Sequence, residues 1–185
     1  MKGWGKSAAV LARLSMAVST AACGAPPTHQ NVPAPPDPFT AEPACSSGVT
    51  RDPNEAESEL MMPGRACNAC HGDVAASTGE TPPIFRFAGT VYPSGHEPDD
   101  CVGSAAYGAQ VWITDSKGVI LSARVNKVGN FALETNHPNF LPPFTAKVRF
   151  QGRERQMLLP QSEGDCNTCH TAAGDMDAPG RIVLP

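Results

Sequence analysis

The middle of the chain alternates short apolar runs with turn-forming residues. Residues 145–150, Thr-Ala-Lys-Val-Arg-Phe, alternate polar and apolar side chains, as a strand with one buried face does. Asp115-Ser116-Lys117-Gly118 and Gln151-Gly152 supply residues that favour hairpin turns. Similar runs predict six strands at 84–92, 110–114, 119–125, 131–133, 145–150 and 154–158. Strands at this spacing favour a mainly β fold with a small antiparallel β-sandwich.

The segments on either side of these strands have a different composition. Residues 55–60 are good helix formers, and Pro63-Gly64 interrupts the pattern after them, so residues 55–83 are expected to form a short helix with loops. Residues 160–185 are mostly small residues and are expected to form loops. An even number of antiparallel strands would return the chain to the end where it started and bring these two segments together, whereas an odd number would separate them.

Each flanking segment contains one copy of Cys-x-x-Cys-His. The copies are Cys67-Asn68-Ala69-Cys70-His71 and Cys166-Asn167-Thr168-Cys169-His170. Covalent haem attachment needs two thiols and an adjoining imidazole for the iron, and residues three and four apart share one face of a helical turn. We therefore predict two covalent haem c groups. The attachment residues are Cys67, Cys70, Cys166 and Cys169, and the proximal iron ligands are His71 and His170.

With these two motifs the chain resembles the c-type cytochromes. The resemblance covers only the two five-residue motifs, and it implies haem binding and electron transfer without indicating a subfamily. A thioredoxin-like redox pair and a four-thiolate zinc site are the alternatives for Cys-x-x-Cys. Neither explains the histidine that directly follows each pair, and the two pairs are much farther apart than those of a zinc ribbon.

The strand region carries a second resemblance. Residues 89–92, 111–118 and 126–131 are similar to the carboxypeptidase-regulatory or transthyretin-like β-sandwich. Such modules serve as scaffolds or binding domains, so the resemblance implies a β-sandwich that carries no chemistry of its own. The expected architecture is a sandwich at 84–159 flanked by haem-binding segments at 55–83 and 160–185.

The N-terminus has the composition of a bacterial export signal. Cationic residues precede a short apolar run that ends near Ala22, which predicts a signal peptide over residues 1–22. Cys23 follows directly, so we expect it to be lipidated, with ordinary cleavage and a free thiol as the alternative. Residues 23–54 are rich in proline over their first part and are expected to form a tether. The predicted location is the bacterial cell envelope, anchored by lipid to the outer membrane.

Seven cysteines divide into four for haem, one for lipid, and the remaining pair Cys45 and Cys101. In an oxidising compartment such a pair is expected to form a disulfide. Cleavage after Ala22 would remove three cationic side chains and change the formal charge from −4 to −7. The chain then offers no basic patch for nucleic acid, and its partners are expected to be cationic redox proteins of the envelope.

The sequence does not determine the ligand on the opposite face of each iron. His96 and His137 are the tentative distal ligands, because they are the only histidines outside the motifs and the tether. Methionine would give a higher reduction potential. The methionines near the motifs are Met61, Met62, Met157 and Met176.

The sequence favours an electron carrier of the cell envelope over two other functions. One is a dihaem peroxidase or reductase, which would need an open iron and acid–base groups above it. The other is a β-sandwich binding or sensor module that carries haem. The carrier needs no catalytic residues, and none are predicted.

Overall fold

The computed structural model describes residues 1, 36–52, 54, 58–134 and 139–185. Cys23, His137, residues 2–22 of the predicted signal peptide and residues 24–35 of the predicted tether lie outside the described residues. By its internal contacts the chain divides into two units, Met1–Ala34 and Pro35–Pro185. The second unit includes the two Cys-x-x-Cys-His motifs and all the strands, and it is described below.

The fold is mainly β, with two sheets and one α-helix among the described residues. The helix is α1 (Cys67–Thr78), and the strands are β1 (Phe87–Tyr92), β2 (Gln110–Asp115), β3 (Ile120–Arg124), β4 (Asn130–Leu133), β5 (Phe144–Phe150), β6 (Arg153–Gln156) and β7 (Ile182–Val183). All six predicted strands are present, with bounds that differ by at most three residues. The short strand β7 was not predicted, and the described helix begins at the first motif, while residues 55–57 lie outside the described residues.

The strands form a three-stranded sheet in the order β4-β1-β7 and a four-stranded sheet in the order β3-β2-β5-β6. Pairing is antiparallel except between β1 and β7, which run parallel. One hydrophobic core takes side chains from both sheets, including Phe87 and Val91 of β1, Ile113 of β2 and Val148 of β5. The strong alternation of β2 and β5 therefore marks the face of the four-stranded sheet that is buried in this core.

Strand β1 is buried along its whole length, which explains why its sequence Phe-Ala-Gly-Thr-Val-Tyr does not alternate. Phe87 and Val91 belong to the core, whereas Thr90 and Tyr92 make polar contacts on the other side. Thr90 Oγ1 accepts a hydrogen bond from the Gly64 N–H at 2.8 Å, and Tyr92 donates to the carbonyl of Cys101 at 3.1 Å. Strand β1 is thus the element on which the segments that carry the motifs are assembled.

The end of the predicted tether is docked on the fold. The Gly95 N–H donates to the Pro38 carbonyl at 2.9 Å, and His96 Nε2 lies 3.0 Å from the Phe39 carbonyl. A side chain at position 95 would clash with the Phe39 ring, so glycine is required for this close approach. Farther along, Cys45 and Cys101 are joined by a disulfide whose Cα atoms are 5.5 Å apart, as the residual cysteine count predicts.

Candidate functional site

The first motif forms the start of helix α1. Ala66, at the N-cap, offers no side-chain hydrogen bond to the first turn. Asp165 supplies one from a distant part of the sequence, because its Oδ2 accepts from the Asn68 N–H at 2.8 Å. A carboxylate at this position satisfies a free N–H and interacts favourably with the helix dipole. The residue directly before the second motif therefore caps the helix that begins with the first.

His71 is oriented by a backbone carbonyl. Its Nδ1 lies 2.5 Å from the Pro83 carbonyl, and its ring centroid lies 5.3 Å from that of Phe85. Because a carbonyl can only accept, Nδ1 carries the proton and Nε2 keeps its lone pair. Metal-binding histidines are held in this way, with one nitrogen donating to a carbonyl and the other free for the metal.

Asn68 fixes the segment that supplies this carbonyl. Its Nδ2 donates to the Phe85 carbonyl and its Oδ1 accepts from the Phe85 N–H, both at 2.9 Å. The paired bonds hold residues 82–85 against the start of α1. Asn68 thus positions Pro83, and through Pro83 it positions the His71 ring.

The second motif forms a short 3₁₀ turn, Cys166–Thr168, packed against β1. Asn167, which is 2% exposed, occupies the position that Asn68 has in the first motif. Its Oδ1 accepts from the Thr90 N–H at 3.0 Å, and its Nδ2 donates to the Arg65 carbonyl at 2.9 Å. One asparagine therefore ties the second motif both to β1 and to the residue two places before Cys67.

The two motifs accordingly lie side by side. Six strands separate them along the chain, and an even number was expected to bring them together. Gly89 of β1 allows the close packing, because a Cβ there would lie 2.9 Å from the Phe131 ring and 3.1 Å from Cys166 Cβ. Only glycine leaves room for the second motif at this point of the strand.

His170 is oriented like His71. Its Nδ1 lies 2.9 Å from the Gly180 carbonyl, so Nδ1 donates and Nε2 keeps its lone pair. Burial lowers the pKa of His170, which favours the neutral imidazole. A neutral imidazole is the form that binds a metal ion.

Arg181, which is 1% exposed, contacts the second motif at its histidine. Its guanidinium donates to three carbonyls, those of Glu97 at 2.9 Å, Gly64 at 2.6 Å and His170 at 3.2 Å. It also pairs with the Asp99 carboxylate at 2.5 Å. A single buried cation therefore joins the loop before the first motif, the end of the second motif and the loop around residue 97.

The environment of the thiols argues against thiol redox catalysis. Burial raises the pKa of Cys67 and of Cys166 to about 12, and the Asp165 carboxylate adds to both shifts. A catalytic cysteine needs a stabilised thiolate instead. Among the described residues, the one cluster of three potential ligand groups is Cys45, Glu97 and Cys101, and both of its sulfurs are in the disulfide. Among the described residues, the four thiols of the two motifs therefore do not form a common four-thiolate centre.

A cleft of about 1010 Å³ opens beside the first motif. Its wall includes Cys67, Cys70 and His71, and apolar side chains such as Val74 and Phe85 line it further. The cleft thus presents two thiols and an imidazole with a free Nε2 to one cavity, which is the set of groups that covalent haem attachment uses. Its volume is at the upper end of the range for ligand sites. The residues fit a bound haem.

The tentative distal ligands fall in different places. His96 has both ring nitrogens against carbonyls, Nδ1 at 2.6 Å from Ala172 and Nε2 at 3.0 Å from Phe39. These carbonyls raise the pKa of His96 and leave neither nitrogen free for iron in this arrangement. Met61 and Met62 line the cleft beside the first motif.

The other two methionines differ from each other. Met157 packs against the hydrophobic core, as a strand-end residue does. Met176 is 68% exposed, and its sulfur lies 3.5 Å from the Cys169 sulfur. Met176 is therefore close to the second motif, whereas Met157 has a packing role.

Comparison of the chain with protein-family models, with curated proteins and with solved structures gave no match. Within the described part of the chain, none of the helices has the length and apolar character needed to cross a bilayer.

Sequence reasoning missed the residues that position the motifs. No sequence motif identifies these positioning residues, which are Asp165, Asn68, Asn167 and Arg181. One signal was present, since both motifs have asparagine directly after the first cysteine. The carbonyls of Pro83 and Gly180 could not be found, because any residue can supply a carbonyl.

Proposed function

We propose that this protein is a dihaem c-type cytochrome that transfers electrons in the bacterial cell envelope. In this proposal a β-sandwich separates two haem-binding segments along the chain. Cys67 and Cys70 attach one haem and Cys166 and Cys169 the other, while His71 and His170 bind the two irons. When bound, each haem supplies a one-electron iron couple. The protein holds the two haems next to each other and fixes their proximal imidazoles.

The observation that carries the proposal is the state of the three described histidines. His71 and His170, which end the motifs, each donate Nδ1–H to a carbonyl and leave Nε2 free. His96, which lies outside the motifs, has both nitrogens engaged. The two histidines that the motifs select are therefore those prepared to bind metal.

For the distal ligand of the first haem we favour Met61 or Met62 over His96. Both methionines line the same cleft as His71, whereas His96 would have to break two hydrogen bonds. Methionine ligation would place this haem at a higher potential than bis-histidine ligation. For the second haem, Met176 is near the motif, and His137 remains a prediction because it lies outside the described residues.

The cellular location remains part of the proposal. Covalent haem attachment and the Cys45–Cys101 disulfide both suit an oxidising compartment. We propose that Cys23 is lipidated and anchors the protein to the outer membrane, and that its electron donors and acceptors are envelope redox proteins. The intact mass of the mature protein tests this, since it reports lipid and haem together.

The central experiment counts haem on the protein matured in a host that attaches haem c. The wild type should give two haems per chain and a haem-stained band on a denaturing gel. The variants Cys67→Ala/Cys70→Ala and Cys166→Ala/Cys169→Ala should each retain one covalent haem. His96→Asn is the matched control and should keep both. A colourless wild-type protein would contradict the proposal.

Spectra of single variants test the distal ligand. Met61→Leu or Met62→Leu, whichever removes the ligand, should abolish a near-infrared sulfur–iron band and lower one reduction potential. The other methionine variant serves as its control. Retention of the band and of both potentials in both variants would exclude these residues.

One observation favours a small-molecule reductase as a second candidate. The cleft beside the first motif also contains Glu59, Glu80 and Glu134, whose carboxylates could supply protons to a substrate. Carbon monoxide separates the two functions. Failure of the ferrous protein to bind carbon monoxide indicates that both irons are fully ligated, as an electron carrier requires, and rapid binding supports the reductase.

A further inference from the structure

One end of the four-stranded sheet carries several exposed aliphatic side chains. Thr114 of β2 pairs with Ile120 of β3 and with Thr145 of β5, so the start of β3, the end of β2 and the start of β5 meet there. The Phe144 pairing with Gln161 brings the segment after β6 to the same end. Leu141 joins it, because its N–H donates to the Asp115 carboxylate at 2.9 Å.

Large aliphatic side chains at this end point into solvent. Leu158 is 92% exposed, which is the highest value for a large apolar residue of the described chain after Met1. The other exposed aliphatic residues at this end are Leu159 at 56%, Ile120 at 52% and Leu141 at 40%. The four residues Ile120, Leu141, Leu158 and Leu159 are here called the aliphatic edge. Single exposed leucines are ordinary, but several on neighbouring loops mark a binding surface.

The surroundings of the aliphatic edge include stiff proline-containing loops and one exposed cation. The exposed residues next to it include Pro142, Pro143 and Pro160, which stiffen the loops, and Lys117 in the turn between β2 and β3. The nearest carboxylate, Asp115, is buried and accepts from the N–H groups of Lys117, Val119 and Leu141. The closest exposed acidic residues along the chain are Glu154 and Glu163, each four positions from a leucine of the edge, and Glu154 is paired with Lys147 and Arg149. Protruding leucines with a nearby lysine suit the boundary between lipid headgroups and acyl chains.

The position of the predicted lipid anchor is compatible with such a contact. Only 13 positions separate Cys23 from residue 36, where the described part of the folded unit begins. Even fully extended, this stretch spans about 45 Å. A protein anchored at Cys23 would therefore remain within reach of the membrane surface. This step rests on the lipidation in the proposed function, whereas the aliphatic edge does not.

We propose that the aliphatic edge inserts into the membrane surface as a second, non-covalent attachment. The edge and the lipid would each contribute to the affinity for the membrane, and the contribution of the edge is measurable without the lipid. The edge would also fix the orientation of the folded unit on the bilayer, which a single lipid anchor does not do. Leu158 and Leu159 lie eight and seven positions before Cys166, so this orientation sets how the second motif faces the membrane.

The test uses the haem-loaded chain from Gly24, exported with a non-lipoprotein signal in place of residues 1–23. It is mixed with vesicles of phosphatidylethanolamine and phosphatidylglycerol, and the bound fraction is measured by sedimentation. The protein should bind, and Leu158→Asp/Leu159→Asp should lower its partition coefficient at least about tenfold. Val49→Asp is the matched control, because Val49 is 54% exposed elsewhere on the fold. Its binding should equal that of the wild type.

Two results would overturn the proposal. One is equal partitioning of the wild type and the double variant. The other is self-association of the wild type without lipid that the double variant abolishes, which would assign the edge to a second copy of the chain. Binding to pure phosphatidylcholine, compared with the anionic mixture, separates the aliphatic contribution from that of Lys117. Haem content, measured on the same samples, shows independently whether the proposed cytochrome function fails.

Discussion

The two Cys-x-x-Cys-His motifs have nearly the same sequence and very different surroundings. The first begins a helix in which no residue is buried, and its histidine faces an open cleft. The second lies in a short turn between β1 and the buried Arg181. What they share is an asparagine that binds backbone and a carbonyl that orients the histidine. The motif thus defines the ligands, and the rest of the chain defines their access to solvent.

This difference suggests that the two proposed haems would differ in their access to partner proteins. A haem in the open cleft would be accessible to partner proteins, whereas one at the second motif would be sheltered by β1 and the C-terminal segment. At the junction between them, the Asp165 carboxylate accepts a hydrogen bond from the Asn68 N–H, and the Asn167 side chain donates one to the Arg65 carbonyl. Substitutions at the second motif and at the junction should therefore cost more stability than those at the first motif.

The largest effect is expected from Arg181→Met. The substitution leaves two buried carbonyls and one part-buried carbonyl without their donor and removes the partner of Asp99. Because the Asp99 side chain is 53% exposed, its ion pair contributes little, and most of the loss comes from the carbonyls. We expect the free energy of unfolding to fall by about 3 kcal/mol, measured by urea denaturation with circular dichroism.

Arg153→Met is the control for this substitution, because Arg153 is exposed on the edge strand β6. Its effect should stay within about 0.5 kcal/mol. Hydrogen exchange sharpens the comparison, since Arg181→Met should expose residues 164–170 more than residues 71–78. Equal loosening of the two segments would contradict the distinction between them.

A smaller difference is expected between the two asparagines. Asn167→Ala leaves the buried Thr90 N–H unpaired and removes the bond to Arg65, so it should cost about 2 kcal/mol. Asn68→Ala removes two bonds to Phe85 in a part-buried site and should cost about 1 kcal/mol. Urea denaturation again measures both, with the exposed Thr168→Ala as the control. If Asn68→Ala proved the more costly, the first motif would be the better anchored.

The smallest effect concerns Asp100 near the first motif. Hydrogen bonding to the Arg65 guanidinium, partly opposed by desolvation, lowers the pKa of Asp100. A lowered pKa contributes stability that is present above the ordinary pKa of the carboxyl and is lost as the pH falls through the lowered value. Asp100→Asn should therefore cost less than about 1 kcal/mol at neutral pH, because Arg65 is half exposed.

The same variant has a clear pH signature. Asparagine tolerates the left-handed backbone of position 100, where φ is 63°, so the substitution changes mainly the charge. The difference from the wild type should shrink as the pH falls below the ordinary range of an aspartate. A difference that persists at low pH would show that the ion pair is not its cause.

The strands could be predicted because local alternation reports burial directly. Residues 145–150 alternate and form β5, with Val148 in the core and Lys147 on the outer face. Strand β7 could not be predicted, since it has only two residues and depends on its pairing with β1. Helix propensity favoured residues 55–60, yet the helix begins at Cys67, where Asp165 from the other end of the chain caps it.

The candidate site divides in the same way. Its ligand groups are adjacent in sequence and were therefore visible as motifs. The partners of those groups lie far away in sequence, such as Gly180 for His170 and Asp165 for Asn68. His96 shows the opposite case, because counting histidines suggested a ligand while tertiary contacts occupy both of its nitrogens. Local sequence patterns identify candidate ligand residues, but only the folded chain shows which histidine nitrogens are free of hydrogen bonds.

Arg181 also has a consequence for the order of biogenesis. It follows both motifs in the chain and contacts the segments that carry them, so neither segment can reach its final packing before residue 181 has been synthesised. Under the proposed function, the four motif cysteines would stay accessible to the haem-attachment machinery until then. The Arg181 guanidinium would thus complete the packing of the motif segments after covalent haem attachment. Under the same proposal, a chain truncated before residue 181 should acquire its haems but remain sensitive to proteases.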